Sequence, residues 1–178
     1  GLFKVSDFKV LKLVADVYID IIRGTPTVVQ LLIIYFLVFQ TQMGMVAGIV
    51  TFGINSSAYV AEIIRAGIMA VDKGQMEAGR SLGLSYTETM RYIILPQAVK
   101  NILPTLGNEF ISLIKETSVV SFVGAADLYV AFNYIGSNSY EFMVPYLVMA
   151  LIYIVLVLLI SLLIKLLERS LKKSDRRN

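Results

Sequence analysis

The sequence predicts an all-α integral membrane protein, on three observations. Of its 178 residues, 57% are hydrophobic and only 16% charged, against roughly 45–50% and about 25% in ordinary soluble domains. The run from Phe142 to Ile164 carries no charge and at helical rise is about 34 Å long, enough to cross a hydrocarbon core of roughly 30 Å. The Lys and Arg residues cluster in three stretches of chain, as expected when loops on one side of a bilayer retain positive charge. A mean hydropathy of +0.73 agrees. A soluble helical enzyme fits poorly, because Phe142 to Ile164 has no polar face to turn to water.

In chain order, the first span centres on Thr27 to Phe39. It is too short alone, so it must borrow the turns before it, with Asp16, Asp20 and Arg23 near the interface. Pro26 in the RGTP run suits a helix start or a kink. The second span, Met43 to Ala61, is rich in Gly, Ala, Ser and Val and uncharged until Glu62. Close packing at Gly53, Ser57 and Ala61 is expected there. The third, roughly Ile102 to Ala126, carries Asn108, Glu109, Lys115 and Glu116, and Pro104 and Gly107 loosen its start. The fourth is Phe142 to Ile164.

Four spans let the basic residues test the topology. Lys4, Lys9, Lys12 and Arg23 precede the first; Arg65, Lys73, Arg80, Arg91 and Lys100 lie between the second and third; Lys165, Arg169, Lys172, Lys173, Arg176 and Arg177 follow the last. The connections Gln40 to Gln42 and Asp127 to Glu141 have none. Both termini and the central loop are therefore expected to be cytoplasmic. The final SLKKSDRRN run is expected to bind anionic lipid headgroups rather than nucleic acid, since no aromatic interleaves it. The chain begins with Gly1 and shows no secretory signal. An absent upstream helix is the expectation, and a natural four-helix protein trimmed of its Met is the alternative.

The central loop turns polar without losing order. Asp72 and Gln75 form a capping pair for a helix through Leu82, with Gly83 as its left-handed stop. Ser85 and Glu88 repeat the capping-box signature and open a second helix to Leu95, ended by Pro96. Two short helices about a glycine make a stiff knuckle that can pass a push from a cytoplasmic partner into the membrane.

Polar groups inside spans mark candidate function. Charge at a helix centre costs roughly 2.5–3.5 kcal/mol on the insertion scale, so Glu109, Lys115 and Glu116 need partners. Asn108, Ser112 and Lys115 share one face at helical spacing. This stripe suits a zwitterion's path, Lys115 and Glu116 supplying a cation and an anion. Equally, Lys115 can pair with a neighbouring helix simply to hold the bundle. Asn55, Ser56, Ser57 and Tyr59 form a second cluster, where interhelical hydrogen bonding is the favoured reading. Glu62 and Arg65 suit a gate, a brace for the knuckle, or a solvated pair.

Several chemistries are absent from the sequence. With no Cys and no His, disulfides, Cys/His zinc sites, haem attachment and His-based triads are excluded. No GxxxxGK[ST] loop or GxSxG elbow occurs. Energy must come from a partner.

The run Glu77, Ala78, Gly79, three residues, Gly83, nine residues, Ile93, one residue, Leu95 and Pro96 resembles the EAA loop of permease subunits in type I ABC importers. The one departure is Gly79 in place of Ala, which lowers helix propensity by roughly 1 kcal/mol. IIRGTPTVVQLLIIYF, INSSAYVAEIIRAGI, ILPQAVKNILPTLGNEF and IKETS resemble the polar-amino-acid branch, the permeases for histidine, glutamine or arginine. The resemblance implies one permease domain over residues 1–178, a type I importer-like bundle of four transmembrane helices here against five in the family, with a cytoplasmic coupling segment over 72–96. It implies that Glu77, Ala78, Gly79, Gly83, Leu84 and Pro96 couple to a dimeric ABC ATPase. It also implies a second permease subunit, identical or a sister, and an extracytoplasmic amino-acid-binding protein. No cofactor is expected on this chain; ATP and magnesium belong to the ATPase. A permease for another solute, or a membrane scaffold or channel subunit whose knuckle recruits some other protein, are the rival readings.

Overall fold

The computed structural model describes residues 9–40 and 43–175. All regular structure among them is helical: α1 (Lys9–Gly24), α2 (Thr27–Ile33) running into a π turn (Ile34–Val38), α3 (Gly44–Met69), α4 (Lys73–Ser81), α5 (Tyr86–Thr89) followed by a π turn (Met90–Ile94), α6 (Leu95–Glu116) closing in a 3-10 segment (Thr117–Val123), α7 (Leu128–Ser139) and α8 (Met143–Asp175). α3 and α8 are each long and apolar enough to cross a membrane, over Gly44–Met69 and Met143–Arg169. Two bent pairs bring the possible spans to four.

The bent pairs correct two expectations. Val10–Gly24 meets Thr27–Val38 at 104°, so the turns before Pro26 do not extend the first span in line. Pro26 is itself extended, at φ −61° and ψ 139°, because an interior proline would strike the carbonyl four residues back. The second pair, Tyr86–Val123 and Leu128–Ser139, bends by 57°. The expected span to Ala126 stops at Val123, where Gly124 turns left-handed at φ +70°. Beyond it the expected connection Asp127 to Glu141 is largely helix α7, whose first turn Asp127 caps by accepting the Val130 N–H at 2.7 Å. Glu141 does the same for α8, accepting the amides of Met143 and Val144 at 2.8 and 3.1 Å.

The chain forms two compact units. One comprises Asp20–Ser57 and Phe110–Leu162. Its core gathers Leu31, Ala47, Val120, Val123 and Ala125. Small residues let α3 meet the 3-10 segment closely: a Cβ on Gly44 would stand 2.6 Å from the Val123 carbonyl, and one on Gly48 2.8 Å from Val120 Cγ1. The other comprises α1 through Ile19, Ala58–Glu109 and α8 from Leu163. Its core is Val71, Ile94, Ala98 and Ile102, with Ile63, Ile64 and Ile68 against it. There a Cβ on Gly67 would collide with Ile102 Cγ1.

Close packing was expected at Gly53, Ser57 and Ala61, and the structure moves it. Ala47, Gly48, Thr51, Asn55 and Ala58 form the buried stripe of α3. Gly53 and Ser57 lie on the exposed side, and Gly53 has nothing within 4 Å of a Cβ position. Composition gives the small residues but not the rotation of the helix that carries them. α8 has none of its apolar window buried within the chain, a surface fit for lipid or another membrane helix.

Candidate functional site

The knuckle between α3 and α6 is built from local signals. Asp72 caps α4 by accepting the Gly74 N–H at 2.7 Å. Gln75 is not its reciprocal partner, as the spacing suggested; its Oε1 accepts from Gln97 Nε2 at 3.3 Å. α4 ends in a Schellman motif: the Leu84 N–H reaches the Gly79 carbonyl at 3.2 Å and the Gly83 N–H reaches that of Arg80 at 3.0 Å. Gly83 sits at φ +86°, the left-handed stop expected of it.

Two residues on, Ser85 opens the second helix with a complete capping box. Its hydroxyl and amide donate to Glu88 Oε2 at 2.6 and 2.8 Å, and its Oγ accepts the Glu88 N–H at 3.2 Å. The Ser85 hydroxyl, and after it the amide, hold the Glu88 carboxyl below the ordinary carboxylate range. The two helices then pack through Gly79 and fully buried Thr89. A Cβ on Gly79 would lie 2.5 Å from Thr89 Cγ2 and 3.0 Å from Ile93 Cδ1. The departure from Ala at this position is thus a packing requirement, not only a propensity loss. Glu77, Ala78 and Gly83 are exposed, as is Leu82 at 81%, while Leu84 is half-buried.

Pro96 does not end the second helix. The chain continues through it from Tyr86 to Glu116, and the π turn just before it is the reason: the Leu95 N–H donates five residues back to the Met90 carbonyl. This wide turn accommodates a residue that has no N–H of its own. Gln97 Nε2 donates to the Ile93 carbonyl at 2.9 Å, one turn before it.

Polar groups converge within the unit that holds α2. Gln30 is 8% exposed and Asn55 4%. Gln30 Nε2 donates to the Ile22 carbonyl at 2.7 Å, the Thr25 carbonyl at 3.0 Å and Thr25 Oγ1 at 2.8 Å, and its Oε1 accepts from Asn55 Nδ2 at 3.2 Å. One turn earlier on α2, Thr27 Oγ1 meets Glu116 Oε2 at 3.4 Å. Of the expected pathway residues, Asn55 and Glu116 therefore join this cluster. Ser57 Oγ donates to its own helix at Ile54, 2.7 Å away, and Ser112 is half-buried. Lys115 is exposed and makes no ion pair among the described residues, which leaves the expected brace to a neighbouring helix without support in this chain. Tyr59 and Asn108 fall on the parts of α3 and α6 that belong to the other unit. There Arg65 donates to Glu62 Oε1 from Nε at 2.9 Å and also from Nη2, a half-buried pair inside α3.

Sequence reasoning missed Thr25, Thr27, Gln30 and Asp127. The signal for Gln30 was a lone amide in an apolar run directly after a proline break. For Asp127 it was a capping residue ahead of an apolar stretch. Asp127 Oδ1 is used as that cap, while its Oδ2 is buried with no hydrogen-bond partner among the described residues. Among the described residues the basic run at the C-terminus is helical through Asp175; Arg176 and Arg177 lie outside the described residues, as does Lys4.

Residues 2–173 match the family described as "Binding-protein-dependent transport system inner membrane component". The chain is 46% identical over 154 residues to a putative glutamine transport system permease protein GlnP of Rickettsia bellii, covering 84% of this chain and 71% of that one. It is 44% identical over 157 residues to the arginine transport system permease protein ArtQ of Bacillus subtilis, covering 85% and 71%. A crystal structure of an amino acid ABC transporter with histidines superposes with a TM-score of 0.89 at 53% identity, over 95% of this chain and 80% of that one. With matches of this extent, the chain belongs to the family of inner-membrane components of binding-protein-dependent transport systems.

Proposed function

We propose that this chain is the permease subunit of an ABC importer for polar amino acids, moving them across the inner membrane by alternating access. The observation that carries the reading is the knuckle: a helix closed by a Schellman motif and a second opened by a capping box, packed through Gly79 and Thr89, with Glu77, Ala78 and Leu82 exposed. So stiff an elbow suits a partner that pushes. In this reading a dimeric ATPase holding ATP and magnesium grips Glu77, Ala78, Gly79, Gly83 and Leu84, while Pro96 and its π turn pass the motion into α6. A second permease subunit and an extracytoplasmic binding protein complete the assembly. The basic stretches support a cytoplasmic position for both termini and residues 72–96 in this reading.

The solute class rests on the relatives, named for glutamine and arginine, and on the neighbour solved with histidines. Their common part is the α-amino acid zwitterion. Asn55, Ser57, Tyr59, Asn108, Ser112, Lys115 and Glu116 are its proposed path. Lys115, exposed and without an ion pair among the described residues, is the cation offered to a carboxylate. The free Oδ2 of Asp127 adds an anion suited to an ammonium.

The test is uptake and ATP hydrolysis in proteoliposomes holding the complete transporter. Gly83→Pro and Glu77→Lys should each leave basal hydrolysis and abolish its stimulation by amino acid; unchanged stimulation in both removes the knuckle from the mechanism. A panel of amino acids that stimulates nothing in the wild type rejects the solute class. Lys115→Ala should weaken ligand binding while the protein remains folded.

A further inference from the structure

Pro26 separates α1 from α2, and the two helices meet at 104°. Such a break leaves carbonyls at the end of α1 that no following turn can satisfy. Two side chains satisfy two of them. Thr25 Oγ1 folds back onto the Ile21 carbonyl at 2.8 Å. Gln30 then shares its two amide hydrogens among the Ile22 carbonyl, the Thr25 carbonyl and Thr25 Oγ1, all within 3.0 Å. Its remaining acceptor takes the Asn55 amide of α3. Gln30 is thus a cap for α1, carried on α2 and tied to α3, and both amides are more than nine-tenths buried. No hydrogen of the Gln30 amide remains to be offered to a solute.

We infer that Gln30 is the positioning residue of this elbow: it fixes the angle between α1 and α2, and through Asn55 the seating of α3 against it, so that transport depends on it without its touching the solute. The inference rests on the transport reading for its consequence and on hydrogen bonds alone for its geometry. Gln30→Glu keeps the size and an oxygen for Asn55 but removes the donors, leaving the Ile22 and Thr25 carbonyls unsatisfied.

Spin labels at Ile21→Cys and Leu37→Cys report the elbow directly; both sites are exposed, at 58% and 75%, and the chain has no cysteine of its own. In the complete transporter in lipid nanodiscs, Gln30→Glu should broaden the label-to-label distance distribution. In proteoliposomes it should lower maximal amino-acid uptake about tenfold, with the half-saturating concentration unchanged within about twofold. A distribution as narrow as that of the wild type overturns the inference. So does an unchanged distribution with a half-saturating concentration raised about tenfold, the mark of a solute contact. If the wild-type complex takes up no amino acid, the transport reading fails and the distances alone decide the elbow. If Gln30→Glu does not accumulate in the membrane, Thr25→Val at an exposed position replaces it: the same broadening, restored by Thr25→Ser, is expected, and an unbroadened distribution overturns the inference.

Discussion

Replacing Gly79 with Ala sets two effects of known size against each other. Helix propensity favours the change by about 1 kcal/mol. Packing opposes it, because the new methyl would stand 2.5 Å from Thr89 Cγ2 and 3.0 Å from Thr89 Oγ1, whereas carbon atoms rest at about 3.5–4.0 Å. Thr89 is fully buried, and its hydroxyl is held by the Ser85 carbonyl at 2.9 Å, so it cannot swing aside cheaply. Overpacking of this kind costs about 1–3 kcal/mol. Taking the upper end for a locked neighbour, the net loss is about 2 kcal/mol, or about 30-fold faster opening of the knuckle. Hydrogen exchange at the Gly83 and Leu84 amides, which close the Schellman motif, reads that opening. Thr89→Ser removes the offending methyl and keeps a hydroxyl for Ser85, so the double variant should recover to within about threefold of the wild type. Exchange in Gly79→Ala that is as slow as in the wild type, or a double variant no better than the single, refutes the packing argument.

Three further outcomes follow from the same geometry. Gly83→Ala meets no atom within 4 Å but must hold φ +86°, so it should cost about 1 kcal/mol of knuckle stability by backbone strain alone, with Gly83→Asn milder; amide exchange at Leu84 measures both. The Glu88 carboxyl is held below its ordinary range in the fold, so its contribution is complete above the unfolded value and is lost as pH falls through the lower folded one. Protection of the α5 amides should therefore survive mild acid and fade only below the usual carboxylate range, and Ser85→Ala, which keeps the amide but removes the hydroxyl, should weaken this pH dependence. Gly67→Ala should force Ile102 out of its rotamer and lower thermal stability by about 1–3 kcal/mol equivalent, as differential scanning calorimetry would read it.

What could be read in advance divides by range. The Gly83 stop and the Ser85–Glu88 box were legible because each is decided within about five residues, by backbone sterics and one reciprocal pair of hydrogen bonds. α8 was legible because an uncharged run of that length has one solution in a bilayer. Pro96 was misread because the rule that proline ends a helix assumes a regular turn before it, and the π turn at Met90–Ile94 removes that assumption. Gly53 and Ser57 were misplaced because the buried face of α3 beside them is set by Val120 and Val123, far along the chain. The 104° elbow was invisible for the same reason: Pro26 announces a break, but the Gln30 and Asn55 contacts that fix its angle join separate helices.

The wide turn at Met90–Ile94 also works as a rotational gear. An α-helix advances about 100° of azimuth per residue, so one residue more or fewer in that turn swings every downstream side chain of α6 by about a quarter revolution relative to the knuckle. Deleting a single residue there would leave composition and hydropathy almost untouched, yet would aim Asn108, Ser112 and Lys115 at different neighbours. The bearing of those three residues is set about four to six turns upstream, in a segment that contains none of them.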